Sequence, residues 1–430
     1  MSQRRIFLFW LPLAASWLLM GSEMPFVNAA LARLPEAARM IAAFGIVASL
    51  SLAIESPVIM LLATSTALAR SPQNYAMIRR FVMHLMLGTT VLHFVVGWTP
   101  LFDVIVRGWM HVPASIVEPV RLGMRLMVFW SAAIAWRRFQ QGVLIRHGQT
   151  RFVGQGSLLR LIASAGVATL LAVTGRVPGI AVGTLGLSCG VLVEAAYAHL
   201  AARPLVARRF GPGVASTAPD LTYGALARFH MPLAASTLLY LLAQPLVAAA
   251  LARLPNPESV LAAWPVAAGL LFILRSPALA LPEVIIALID EKGSRPALRQ
   301  FSLRLGLICT ALLAVISYTP LSHFYFRTLI GVNEDLARMA VVGGMVGVLL
   351  PSIIAWQSWF RGQLTAQRAT TALTFAMIAN MLCMAVLLIG GVALQAPGVA
   401  LAAVALTVST GVETLLLGLA LRRVKAKAAA

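Results

Sequence analysis

The chemistry open to this chain lies in the few charged side chains set inside its apolar runs. Two of them share a local frame: Glu55 stands in LAIESPVIML and Arg275 in LFILRSPALA, each followed by Ser-Pro, 220 positions apart. A carboxylate at membrane depth is costly, so it is kept for a task such as carrying a proton or balancing a cation. A guanidinium there offers a planar fork of donors matched to phosphate or carboxylate oxygens. Arg275 is therefore a candidate ligand for an anionic group, with Glu55 its counter-charge or proton carrier. The structural alternative is an ion pair that only clamps two parts of the fold together.

Further candidates follow from the same argument. Arg125 lies one turn from Arg121 and is a second candidate for holding an anion. Glu23, just before Pro25, has Ala243 at its equivalent position, and Asn28 has Ala248; Gln244 precedes the matching Pro245. Asn28 and Gln244 join the candidate binding set. A carboxylate present on one side only suits ion coupling or gating, although a helix-interior Glu bonded to a neighbour reads equally well. Glu194 and Glu413 recur in both halves and are candidates for coupling or gating, against the plainer reading of bonding a neighbouring helix. Arg160, close to Ser157 and Ser164, is placed to pair with Glu194. His93 and His230 stand alone in apolar surroundings and read as packed side chains. No phosphate-binding glycine loop, HExxH or GxSxG occurs, so neither an enzyme nor a nucleotide-hydrolysing pump is expected. Cys189, Cys309 and Cys383 are not paired at ligand spacing; no metal, disulfide framework or cofactor is expected.

The elements that must position these groups are membrane helices. Hydrophobic residues make up 60% of the 430 and charged ones 11%, too apolar for a soluble core. Runs of about 20 apolar residues recur throughout, each long enough to cross a bilayer. The pattern predicts twelve transmembrane helices near 6–33, 39–69, 77–101, 115–145, 152–175, 178–201, 225–252, 257–289, 297–320, 335–364, 369–392 and 397–422. The fold class is an all-α polytopic membrane protein. The basic, apolar start lacks a small-x-small cleavage site at Met20-Gly21-Ser22-Glu23 and is read as a retained first helix.

The net charge is +20, but its placement argues against nucleic acid as a partner. With the N-terminus inside, the cytoplasmic segments hold 23 of the 34 Lys and Arg. They include Arg79, Arg80, Arg137, Arg138, Arg146, Arg151, Arg203, Arg208, Arg209, Lys292, Arg295, Arg299, Arg304, Arg422, Arg423, Lys425 and Lys427. The other side holds Arg33, Arg39, Arg107, Arg176, Arg253 and Arg327. This asymmetry predicts a multi-pass protein of the inner, cytoplasmic membrane with both termini in the cytoplasm, its basic residues meeting anionic lipid headgroups.

The chain is also an internal repeat. FWLPLAAS (9–16) matches FHMPLAAS (229–236), LARLP recurs at 31–35 and 251–255, WTPL (98–101) matches YTPL (318–321), and Arg107 matches Arg327. IAW recurs at 134–136 and 354–356, with Gly142 matching Gly362, all at offset 220. Near the ends the offset is 219, pairing Pro178-Gly179 with Pro397-Gly398 and Glu194 with Glu413. Six helices per repeat is an even number, so the repeats run parallel, related by an axis along the membrane normal. The expected division is an N-lobe at 1–202, a Gly/Pro/Arg-rich cytoplasmic linker at 203–224, and a C-lobe at 225–430. Two equal lobes suit a secondary transporter that alternates access, with a non-transporting membrane scaffold as the alternative of another class.

The stretch AWRRFQQGVLIRHGQTRFVG (135–154) resembles a segment of the progressive ankylosis protein family, as do LIGVNEDLARMAVV (329–342), EAARMIAAFGIVASL (36–50), AAWPV (262–266), Pro397-Gly398-Val399 and Gly411-x-Glu413. The resemblance is scattered over nearly the whole chain. It implies membership of the superfamily of multidrug extruders (MATE) and lipid-linked oligosaccharide flippases, with two six-helix bundles that alternate between outward and inward forms. It also implies a small anionic substrate such as pyrophosphate, a nucleotide or citrate, and a coupling proton or sodium. The chain departs from the animal members in lacking an acidic C-terminal tail, and the resemblance does not extend to its Glu-Ser-Pro and Arg-Ser-Pro motifs. A lipid-linked oligosaccharide flippase or a multidrug extruder is the alternative within transport.

Overall fold

The computed structural model describes residues 1–211, 214, 221–289, 291, 293–367 and 369–429, which form helices and short connections with no strand among them. The helices are α1 (Gln3–Leu31), α2 (Ala37–Ile59 and Leu61–Leu68), α3 (Pro72–Trp98), α4 (Ala114–Leu126 and Trp130–Arg146), α5 (Arg151–Thr174) and α6 (Gly179–Phe210). Then come α7 (Tyr223–Leu241 and Ala243–Leu251), α8 (Pro257–Leu279 and Leu281–Leu288), α9 (Ser294–Tyr318), α10 (Glu334–Val346 and Leu350–Ala366), α11 (Thr370–Ala393) and α12 (Gly398–Ala429). Among the described residues, ten helices are long and apolar enough to span a membrane, and the bent pair of α10 makes an eleventh. Its counterpart α4 carries Arg121, Arg125, Arg137 and Arg138, which lower its apolar character without changing its place in the repeat. The protein is a multi-pass membrane protein. α5 and α11 turn Ile162, Leu170, Val173, Phe375, Leu382, Val386 and Ile389 outward, the faces that lipid covers.

The repeat is written in the backbone as well as in the sequence. α2 breaks at Met60 and α8 at Ala280; α4 breaks at 127–129 and α10 at 347–349. A π-helical segment, Val104–Trp109, recurs as Phe324–Ile330. Positive-φ residues recur at the same offset: Glu36 with Asn256, His111 with Gly331, and Gly175 with Gln395. Pro57 and Pro277 each stand three residues before a break, where a missing N–H and a ring clash weaken the helical ladder.

Packing groups the chain into two units that differ from the division by sequence. One unit comprises 1–33 and 249–430, the other 34–248. Each first helix sits with the helices of the opposite sequence half. α1 packs on α8: Gly21 lies under Phe272, where an added Cβ would come within 2.9 Å of the ring. Trp10 Nε1 donates to the carbonyl of Pro277 at 2.9 Å. In the other unit α7 packs on α2 through the residue equivalent to Trp10. His230 Nε2 donates to the carbonyl of Pro57 at 2.7 Å, and its Nδ1 meets Thr64 Oγ1 at 2.9 Å. A carbonyl only accepts, so Nε2 carries the proton and neutral Nδ1 accepts from the hydroxyl. In both units a ring N–H thus satisfies a proline carbonyl beside a helix break.

Two sequence expectations shift. α6 runs to Phe210, past the expected end at 201, because Ala202 and Leu205 are buried and carry the helix into the segment read as linker. Of the expected linker 203–224, residues 212–213 and 215–220 lie outside the described residues. Arg137, read as a cytoplasmic charge, is instead 4% exposed inside the 34–248 unit, and Arg138 beside it is partly buried. Both therefore leave the topology count and enter the list of interior charges. Lys292 and the side chains of Lys425 and Lys427 lie outside the described residues.

Candidate functional site

Each unit holds an interior polar cluster built on helices equivalent in the repeat. In the 34–248 unit, the second half of α4 presents Trp130, Arg137 and Gln141 along one face, since positions seven and eleven residues apart return to the same side of a helix. Trp130 Nε1 donates to Glu55 Oε2 on α2 at 2.6 Å. Arg137 donates to Glu194 Oε2 on α6, and Gln141 Nε2 donates to Glu194 Oε1 at 3.0 Å. α5 adds Ser157, 3.3 Å from Glu194 Oε1, and Arg160, 3.7 Å from Oε2. The Arg160 guanidinium also lies 6.0 Å from the centre of the Trp130 ring. Glu55 and Glu194 are thus linked through one indole and one arginine.

The 1–33/249–430 unit repeats half of this arrangement with its parts exchanged. Glu413 on α12 accepts from Arg361 on α10 and from Asn380 Nδ2 on α11 at 2.6 Å. At offset 220, Arg361 stands where Gln141 is, Gln357 where Arg137 is, and Asn380 where Arg160 is. The carboxylate is kept, and the arginine that pairs with it has moved one helical turn along, with a glutamine at the position it left. This favours the bonding role for Glu194 and Glu413 over coupling, because the lone pairs that a coupling ion would need already take guanidinium and amide donors. Trp130 has no counterpart, since Leu350 occupies its position, and Glu55 is answered by Arg275.

The remaining candidates divide by unit. Glu23 and Asn28 are buried on α1, and among the described residues nothing donates to Asn28 Oδ1. Arg275 is half-buried on α8 with its guanidinium 5.2 Å from the centre of the Phe272 ring. Gln244 is exposed in the first turn after the break at Leu242. Arg125 does not join the Glu55 cluster: its Nε donates to the carbonyl of Gly97 at 3.0 Å, at the C-terminal end of α3. There a cation also faces the negative end of the helix dipole. Arg121 pairs with Asp103 at 2.8 Å and Glu118 at 3.3 Å. His93 and His230 are fully buried, His93 meeting Ser51 Oγ at 3.3 Å. Sequence reasoning missed Trp130, Arg137, Arg361 and Asn380. The signal was present: Arg137/Gln141 set against Gln357/Arg361, beside a glutamate kept in both halves.

Neither a family model nor a curated protein sequence matches the chain, so the ankylosis resemblance rests on the residues quoted for it. Solved structures do match. The inward closed form of the lipid II flippase MurJ aligns with TM-score 0.75 at 11% identity, over 95% of this chain and 87% of that one. An inward-facing multidrug resistance MATE family transporter of the MOP superfamily aligns with TM-score 0.70 at 13% identity, over 94% and 95%. A MOP superfamily transporter from Pyrococcus furiosus, described as having a binding pocket of reversed polarity, aligns with TM-score 0.60 at 15% identity, over 98% and 95%. The chain has the fold of these transporters.

Proposed function

We propose that the chain is a secondary transporter of the cytoplasmic membrane that moves a small multivalent anion, phosphorylated or carboxylic, by alternating access of two lobes. The observation that carries this reading is the presence, inside apolar helices of both units, of arginine besides those that clamp Glu194 and Glu413: Arg275 on α8 and Arg138 on α4. A transporter of lipophilic cations has no use for such groups, whereas pyrophosphate, nucleotide or citrate-like cargo is recognised by guanidinium forks. Its fold supports transport over the scaffold alternative. Arg275 contacts the anion, with Asn28 as an uncharged partner in the same unit; in the other unit Gln244 offers an uncharged contact. Glu55 and Glu23 serve coupling to a proton or sodium. Glu55 suits that task because, among the described residues, its donor is the single indole of Trp130 on one oxygen, whereas Glu194 and Glu413 hold helices together. The distribution of Lys and Arg supports cytoplasmic termini and contact with anionic lipid on that side.

The likeness to MurJ favours a second reading, in which the anion is the headgroup of a lipid-linked substrate. Proteoliposomes loaded with labelled pyrophosphate, citrate or ATP separate the two. Flux of a free anion that falls at least tenfold in Arg275→Ala supports the first reading. Wild-type flux in that variant removes Arg275 from the site. Movement of a lipid-linked pyrophosphate with no free-anion flux selects the second.

A further inference from the structure

Among the described residues, Arg138 is an arginine on the cluster-bearing half of α4 that the clamp on Glu194 leaves unused. It follows Arg137 directly, so its side chain leaves α4 about 100° away from the Glu194 face. Glu194 is filled by Arg137, Gln141, Ser157 and Arg160, and the donor on Glu55 is Trp130. Among the described residues no oxygen accepts a hydrogen bond from Arg138. Its Nε is sealed from solvent and finds no acceptor, while the residue as a whole is only partly buried. Eight residues separate it from Arg146 at the end of α4, about 12 Å of helix rise. A guanidinium that deep without an acceptor costs several kcal/mol.

The repeat shows that the fold does not require this charge. The equivalent residue of α10 is Ser358, buried and small, on a helix that otherwise keeps the break, the glycine and the carboxylate clamp of its counterpart. The carboxylate clamp survives in both halves, as Glu194 and Glu413, without a cation at the position of Arg138 in the second. Arg137, Arg160, Glu55 and Glu194 lie within its electrostatic reach, so three arginines against two carboxylates leave one positive charge for an added anionic group.

We propose that Arg138 is an anion-binding group of the 34–248 unit, gripping a phosphate or carboxylate oxygen with its terminal nitrogens. This rests on the anion-transport reading for its role in the cycle. The acceptor oxygen comes from a free anion or from the phosphate of a lipid headgroup, and one experiment tells the sources apart.

Arg138→Ser copies the equivalent residue of α10, so it is expected to fold with the thermal stability of the parent. Arg138→Lys keeps the charge and loses the fork. Binding of inorganic pyrophosphate to the delipidated protein in neutral detergent is measured by calorimetry, and phosphatidylglycerol retained after purification by mass spectrometry. For a free anion, Arg138→Ser weakens pyrophosphate binding tenfold or more and Arg138→Lys by less. For a lipid phosphate, Arg138→Ser retains less phosphatidylglycerol while pyrophosphate binding is unchanged or absent. If neither quantity depends on residue 138, the assignment is wrong. Arg138-dependent binding in a protein that moves no anion in proteoliposomes would sink the transport reading alone. Anion flux that Arg138→Ser leaves intact, with binding unchanged, would sink this inference alone.

Discussion

Exchanging Arg137 and Gln141 should leave the protein nearly as stable as before, although either change alone should cripple it. Arg137→Gln leaves Glu194 buried with only the more distant Arg160, Gln141 and Ser157. Breaking a buried ion pair costs about 3–5 kcal/mol, and the remaining arginine argues for the low end, about 3. Gln141→Arg forces a second guanidinium beside Arg137 against a carboxylate already full, at a cost of about 1–3 kcal/mol in overpacking alone. The double variant rebuilds the order that the other unit already uses, an arginine at 361 reaching Glu413 one turn after a glutamine at 357. For a unit of 150–250 residues each kcal/mol lowers Tm by about 2–4 °C. Arg137→Gln should therefore melt about 6–12 °C low, and the exchange within about 4 °C of the parent. Thermal unfolding in detergent, followed by circular dichroism, measures all four proteins and yields the coupling energy directly. If the double variant melts as low as the two single losses added together, the clamp is not interchangeable, and Glu194 has a role that Glu413 does not share.

Three further outcomes are expected. Gly142→Ala places a Cβ 2.6 Å from the carbonyl oxygen of Leu62, so the second half of α2 must shift; a loss of about 1–3 kcal/mol should appear as a lower Tm. Trp10→Phe and His230→Phe each orphan a proline carbonyl at a helix break and should each cost about 1–3 kcal/mol, with hydrogen exchange rising around the break concerned; equal exchange in parent and variant would refute the bracing role. Gly21→Ala pushes on Phe272, whose ring lies by Arg275, and should raise the half-saturating anion concentration in proteoliposomes about 2- to 10-fold at an unchanged maximal rate.

Much of the fold was legible in the sequence because membrane helices announce themselves by length and apolarity, and because the repeat fixes each element twice. The breaks at Met60 and Ala280 were half legible: Pro57 and Pro277 mark weak points, but where the chain resumes depends on what braces it. Those braces, Trp10 and His230, stand in the very octapeptides that revealed the repeat. They differ in type there, and only their shared possession of a ring N–H makes them equivalent. Single charges were found easily, since each is costly. Their partners were not, because Gln141, Asn380 and Trp130 are ordinary residues in an apolar run until a carboxylate from another helix reaches them. Arg137 and Arg138 were misplaced because a boundary charge and an interior one look alike eight residues from a helix end.

The traded first helices bear on ancestry and on dissection of the chain. Neither sequence half contains a complete packing unit, since α1 belongs with 249–430 and most of α7 with 34–248. A six-helix ancestor packed this way would have been an arm-exchanged homodimer, unable to bury its core alone, and fusion turned a concentration-dependent partnership into a permanent one. A chain severed between Phe210 and Leu221 should accordingly be recovered only when both fragments are made in the same cell.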